Sequence, residues 1–170
     1  MNVRQAIQER RSIRAYREEE IEPGKLARVL EAARLAPSAN NRQEWKFIVV
    51  RDLECRRKLA AAASNQTFVG QAPLVIVACA TESESVMKCG QPRYTVDVSI
   101  AVAFMMLQAQ EEGLGTCWIG AFDEKAVKQI LEIPAVIRVV AMTPLGFPMG
   151  DCVQKSRKNF DQIVCFDKYA

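Results

Sequence analysis

The sequence predicts an α/β sandwich built as one domain over residues 1–170, with helices packed around a single sheet. Helix-period and strand-period segments alternate along the chain instead of falling into separate halves, the pattern of mixed layers sharing one core. No repeat, low-complexity tract or flexible linker offers a place to divide it. With 170 residues, 49% of them hydrophobic, the chain is long and apolar enough to bury one substantial core.

Residues 2–11 read as a short helix with Val3, Ala6 and Ile7 on one side, running into the basic stretch Arg10-Arg11-Ser12-Ile13-Arg14. Glu22-Pro23 opens a second helix, because proline's fixed φ suits the first turn; Leu26, Val29, Leu30 and Ala33 form its apolar stripe and Pro37 stops it. Trp45–Val50 is aromatic and β-branched enough for a strand, 53–63 is alanine-rich and helical, and Leu74–Ala80 reads as a buried strand. A long helix ends before Gly113 with Asp97 in its first turn, and its apolar residues occupy almost every face through 100–107, so it is expected to be central and buried. A short strand follows at 116–119, where Trp118 is expected to fill core. Asp123 caps a helix reaching Leu131, 137–142 is a further strand, and 151–170 is a polar tail carrying one apolar segment, 163–166. Periodicity leaves the strand directions open.

Composition excludes several functions. The longest apolar stretch, 100–107, falls far short of the ~20 residues a bilayer span needs, and no signal segment opens the chain, so a soluble cytoplasmic protein with no membrane partner is expected. A net charge of +3 with interspersed acids demands no nucleic-acid face. Six cysteines without C-x-x-C spacing read as reduced thiols. The chain has no histidine, which removes Ser-His and Cys-His nucleophilic catalysis and most catalytic zinc sites; no metal site is expected. Demanding chemistry would then fall to a bound cofactor. Gly113-Leu114-Gly115 follows a helix and lacks the rest of a dinucleotide fingerprint, so it reads as a helix cap and turn.

Three separated segments make chemical sense together: Arg10 to Arg14, the run Pro37-Ser38-Ala39-Asn40-Asn41-Arg42-Gln43, and Lys155-Ser156-Arg157. Arginine's planar fork matches phosphate oxygens, a serine hydroxyl adds a donor and lysine a compact charge, so a phosphate monoester suits them. Each segment taken alone reads more readily as a solvated basic surface.

Their order decides the reading. Glu9-Arg10-Arg11-Ser12-Ile13-Arg14-Ala15-Tyr16 resembles the opening signature of the FMN-dependent nitroreductase family. Ala36-Pro37-Ser38-Ala39-Asn40-Asn41-Arg42-Gln43-Glu44-Trp45 is similar to its A-P-S-x-x-N-x-Q-P-W segment, and Gly113-Leu114-Gly115-Thr116-Cys117-Trp118-Ile119-Gly120 to its G-L-G-x-x-W-I-G. Pro144-Leu145-Gly146-Phe147-Pro148 and Lys155-Ser156-Arg157 resemble its closing elements.

The resemblance implies a three-layer sandwich whose central mixed, largely antiparallel sheet is flanked by helices, with C-terminal strand exchange in a homodimer and FMN sites at the interface. It implies that Arg10, Ser12, Lys155 and Arg157 grip the FMN phosphate, with help from Arg11, and that Arg14 approaches the pyrimidine edge of the flavin. A fixed guanidinium there would stabilise the charge left by two-electron reduction. Asn41 and Gln43 match the donor–acceptor edge of the ring. Pro37, Ser38 and Ala39 resemble residues reaching in from the partner subunit, and Gly120 and Ala121 match the backbone beside flavin N5. No protein group is expected to be catalytic; flavin N5 carries the chemistry. The implied activity is ping-pong reduction of small acceptors such as nitroaromatics or quinones by NADH or NADPH, and the alternative is a non-catalytic flavin-binding or flavin-carrying protein of the same fold. Glu44 replaces the family's proline, Asn40 its frequent glycine, and Cys165 a histidine of many relatives. The short chain lacks insertions that wall the acceptor pocket in relatives, which implies an open one.

Overall fold

In a computed structural model, which describes residues 1–150, 152, 153 and 155–169, six helices surround a four-stranded antiparallel sheet. Asp151 and Ala170, the ends of the expected tail, lie outside the described residues. The helices are α1 (Val3–Glu9), α2 (Pro23–Arg34), α3 (Leu53–Ala62), α4 (Thr67–Gln71), α5 (Arg93–Glu111) and α6 (Glu124–Ile130). The strands are β1 (Trp45–Val50), β2 (Leu74–Ala80), β3 (Gly115–Thr116) and β4 (Arg138–Gly146), in the order β1-β2-β4-β3.

The layers follow from the pleat. In β2 every residue is buried, and alternate side chains serve opposite faces. Val75, Val77 and Cys79 pack with Leu59, Val69 and Val127 of α3, α4 and α6. Leu74 and Ile76 pack with Val29 and Met105, and Ala78 and Ala80 with Val98 and Val102, which places α2 and α5 on the other face. The expected three layers are thus present, and an isolated parallel bridge between Ser12 and Thr116 adds the one parallel pairing to an otherwise antiparallel sheet among the described residues.

Several elements match their sequence signals at the level of single atoms. Asp123 caps α6 by accepting from the Lys125 and Ala126 amides, and Asp52 caps α3 through the Cys55 amide. Gly113, at φ +74°, closes α5 with the left-handed turn that its spacing implied.

Four expectations need correction. The third strand stops at Thr116, with only an isolated Ile119–Met142 bridge beyond. The last strand runs on through Pro144 to Gly146; the position facing Pro144 on the β3 side, Cys117, lies beyond β3, so no ladder partner misses the absent N–H. α5 begins at Arg93 behind Pro92, which puts Asp97 beyond the first turn. It is also not buried all round, since Phe104 and Ala103 are exposed and Ile100 and Leu107 only half-buried. Helix α4 gave no periodic signal because it spans only five residues. No helix among the described residues is long and apolar enough to cross a membrane.

Candidate functional site

Asn2 and Gln5 cap α1 reciprocally, each side chain taking the other's amide at 3.0 Å, and the helix ends at Arg10, whose ψ of 130° turns the chain into an extended strip. The strip runs along the outer edge of β3: the Ile13 amide donates to the Thr116 carbonyl at 2.8 Å. Alternation along extended backbone puts Ile13 into the core, and Arg10, Ser12 and Arg14 on the opposite side. Arg11 falls out of this set, since its guanidinium turns back onto the carbonyls of Gln8 (2.6 Å) and Arg10 (3.0 Å). Tyr16 anchors the far end. Burial pushes its phenol far above the ordinary range, with Cys117 adding to the rise and Arg14 opposing it, so the hydroxyl stays protonated and donates to the Ile13 carbonyl at 2.8 Å.

The strip lies so close to β3 that Gly115 has no room for a side chain: a Cβ would meet Ile13 Cγ1 at 2.5 Å and Ile13 Cβ at 2.8 Å. Gly115→Ala is therefore expected to push the strip off the sheet and destabilise the fold by about 1–3 kcal/mol. The urea unfolding midpoint measures this; an unchanged midpoint would show that the strip is not seated on β3.

Cys152 carries the tail to the same place, its thiol donating to the Ser12 carbonyl at 3.7 Å. Lys155 follows three residues later, within the roughly 11 Å that three residues can span, and Arg157 lies two beyond it; both are exposed. Among the described residues, none of Arg10, Arg11, Arg14, Lys155 and Arg157 meets a carboxylate. Positive charge gathered with no carboxylate partner among the described residues suits an external anion. Burial raises the pKa of the neighbouring Cys117 thiol against the pull of Arg14, a Ser12 hydrogen bond and Arg10, which disfavours its thiolate. Burial likewise pushes the Cys79 thiol up to about 11.

On the same side of the sheet, Gly120 and Ala121 follow Ile119 and are exposed backbone. Trp118 is not core, contrary to expectation. Cys117 and Ile119 take the inward places, so the indole turns outward, 37% exposed, with its Nε1 3.4 Å from where a Gly120 Cβ would stand.

The 37–44 loop stands elsewhere. Ser38 organises it, accepting the Asn41 amide on its carbonyl (2.9 Å) and the Gln43 amide on its hydroxyl (3.0 Å), while Gln43 Nε2 donates to the Asn41 carbonyl and Oδ1, both at 3.2 Å. Asn40, Asn41 and Gln43 have φ of 54°, 54° and 55°, a left-handed backbone costing about 1 kcal/mol or more per residue. Asp97, expected as a dipole partner for its own helix, instead accepts the Ala39 amide on both oxygens at 3.2 and 3.3 Å. Glu44 pairs with the buried Arg93, whose guanidinium also takes Glu82 at 2.6 Å. This anchoring escaped the sequence reading. Its only trace was an arginine directly behind Pro92, at a helix N-terminus where the backbone dipole disfavours cations.

The strip beyond β3 and the loop leading into β1 therefore sit at opposite edges of the sheet, four strand spacings or roughly 19 Å apart. One chain gathers Arg10, Ser12, Arg14, Gly120 and Ala121 at one edge with the start of the Lys155 segment, and holds Pro37, Ser38, Ala39, Asn41 and Gln43 at the other. A cleft of about 1160 Å³ between Glu18–Glu20 and the arginines Arg51, Arg56 and Arg57 is lined by none of the expected contact residues.

Comparison with known proteins identifies the family. The sequence profile described as Nitroreductase family matches residues 7–91 and 63–147. The chain belongs to the nitroreductase family. A crystal structure of a nitroreductase family protein from Clostridium novyi NT is 38% identical and superposes with a TM-score of 0.84, covering 88% of this chain and 86% of that one. An FMN-dependent nitroreductase from Clostridium difficile R20291 is 31% identical with a TM-score of 0.82, over 96% of this chain and 98% of that one. The FMN reductase [NAD(P)H] of Bacillus subtilis strain 168 is 27% identical over 89% of this chain and 68% of its own. The nitroreductase profile spans the strip, the 37–44 loop and Gly120-Ala121, but ends before Lys155 and Arg157, whose place rests on the Cys152 contact alone.

Proposed function

We propose that this nitroreductase-family chain is a cytoplasmic FMN-dependent oxidoreductase, working as a homodimer with two flavin sites at the interface and with neither nucleic acid nor membrane as partner. It would carry reducing equivalents from NADH or NADPH to small acceptors such as nitroaromatics or quinones. The observation that carries this reading is the cation strip at one edge of the sheet, without a carboxylate partner among the described residues, with the matching loop at the other edge of the same chain. Two copies would bring an edge of each kind together at each site. Relatives with 27% and 31% identity, named FMN reductase [NAD(P)H] and FMN-dependent nitroreductase, supply the cofactor class.

The donor set fits FMN. Arg10, Ser12, Lys155 and Arg157 would hold its dianionic phosphate, with Arg11 restricted to a supporting role by its turn onto Gln8. Arg14, held near the Ser12 carbonyl and 5.9 Å from the Phe68 ring centroid, would stand at the pyrimidine edge and favour the reduced, negatively charged ring. Asn41 and Gln43 would bind the ring edge from the second copy, beside Pro37, Ser38 and Ala39, and the bare backbone at Gly120-Ala121 would admit the ring closely. When bound, FMN would supply the two-electron transfer itself. Gly120 and Ala121 are exposed, which supports one shared, open cleft for donor and acceptor.

A shared cleft requires the oxidised nicotinamide to leave before the acceptor enters. Steady-state rates with NADH or NADPH against a quinone are expected to give parallel double-reciprocal lines. Intersecting lines would overturn the shared cleft, and flavin binding without turnover would establish a carrier instead of an enzyme.

A further inference from the structure

Two successive turns of α5 grip the 38–44 loop at both of its ends. Asp97, 6% exposed, holds the Ala39 amide, and Arg93, 9% exposed and one turn earlier, holds the Glu44 carboxylate. Arg93 also binds Glu82, whose other oxygen takes the Glu84 and Ser85 amides, and the Ser85 carbonyl in turn accepts the Arg93 amide at 3.0 Å. The Thr81 amide closes the ring of contacts on the Glu44 carbonyl at 3.1 Å. One buried guanidinium thus bridges two half-buried carboxylates, one at the loop end and one in the segment after β2.

Between the grips lie the three left-handed residues, Asn40, Asn41 and Gln43. A backbone in sparsely populated φ/ψ persists only where its surroundings over-determine it, and the bonds to Ser38 fix the loop's inside but not its attachment to the rest of the protein. Attachment comes from α5. We propose that Arg93 and Asp97 are positioning residues, holding the 38–44 loop in the strained form that presents Asn41 and Gln43 to the flavin of the second copy. The flavin part of this inference rests on the function proposed above; the grip itself does not.

Removing the guanidinium leaves Glu44 paired with Arg42 at 3.5 Å, a residue of the loop itself, and cuts the tie of the loop end to α5 and Glu82, whereas Arg93→Lys keeps the charge and loses only the fork. The experiment follows amide hydrogen exchange of residues 38–44 in flavin-free protein, together with FMN affinity by fluorescence titration, for the wild type, Arg93→Met, Arg93→Lys and Asp97→Asn. Arg93→Met is expected to speed exchange in the loop by more than about tenfold while β2 and the C-terminal half of α5 keep their protection, and to weaken FMN binding by about tenfold, with partial recovery in Arg93→Lys. Should Arg93→Met fail to fold, Glu44→Gln cuts the same grip and leaves the Arg93–Glu82 pair. Unchanged loop exchange in the folded variants would overturn the grip. Faster loop exchange with unchanged FMN affinity would overturn its role at the flavin, and wild-type protein that binds no FMN would overturn the functional reading while the exchange data still decide the grip.

Discussion

Replacing Arg10 or Arg157 with alanine is expected to weaken FMN binding by one to two decades while leaving riboflavin, which lacks the phosphate, near its original affinity. A charge-assisted hydrogen bond to a phosphate contributes roughly 1.5–3 kcal/mol, and each ~1.4 kcal/mol is a decade in dissociation constant. Arg10 meets no carboxylate among the described residues and stands on the open side of the strip, opposite the buried Ile13. Arg11→Ala should cost much less, because that guanidinium is already spent on the carbonyls at the end of α1. Fluorescence titration with both ligands separates the cases. Equal losses for FMN and riboflavin would refute the phosphate assignment, and an Arg11 effect as large as that of Arg10 would refute the alternation along the strip.

Deleting residues 159–170 is expected to produce more monomer in sedimentation analysis and FMN binding weaker by about tenfold or more, although Lys155 and Arg157 remain. In the single chain this tail forms a short 3-10 turn, Phe160–Gln162, and leaves Phe160, Ile163 and Phe166 exposed, with Phe166 at 79%. Such side chains are unlike those of an ordinary solvated tail and suit a groove on another molecule. The sheet offers a complement. Among the described residues β1 is an edge strand paired only with β2, so its outward N–H and C=O groups could take an added strand. Because a ligand that binds only the assembled form stabilises that form by mass action, loss of the fastener should show in both assays together. A truncated protein that is monomeric yet binds FMN normally would sink the shared site; one that stays dimeric would clear the tail of its fastening role.

Much of the fold was legible because its signals are local. Proline at the start of α2, aspartate before α6 and the unbroken apolar run of β2 each act within a few residues of themselves, and each element stands where its signal placed it. Misreadings arose where a distant neighbour decides. Trp118 looks like core on hydrophobicity alone, yet Ile119 takes the inward place by pairing with Met142, more than twenty positions on. Asp97 looks like a charge for its own helix dipole, yet it serves the Ala39 amide across a sequence gap that no periodicity bridges. The site showed the same division. The arginine, serine and glycine members were visible as composition in a recognisable order, whereas the grip of Arg93 on Glu44 and Glu82 depends on three segments meeting in space.

The placement of the strip and the loop at opposite edges of one sheet has a genetic consequence under the shared-site reading. Each cofactor site would draw its cations from one polypeptide and its ring-edge contacts from the other, so two lesions carried by one polypeptide would fall in different sites. In a mixed dimer of one copy damaged at Arg10 and one damaged in the 37–43 loop, both defects would fall in the same site and the other would be wholly native. Two alleles, each silent alone, would complement when expressed together, and random pairing of equal amounts would restore roughly a quarter of all sites.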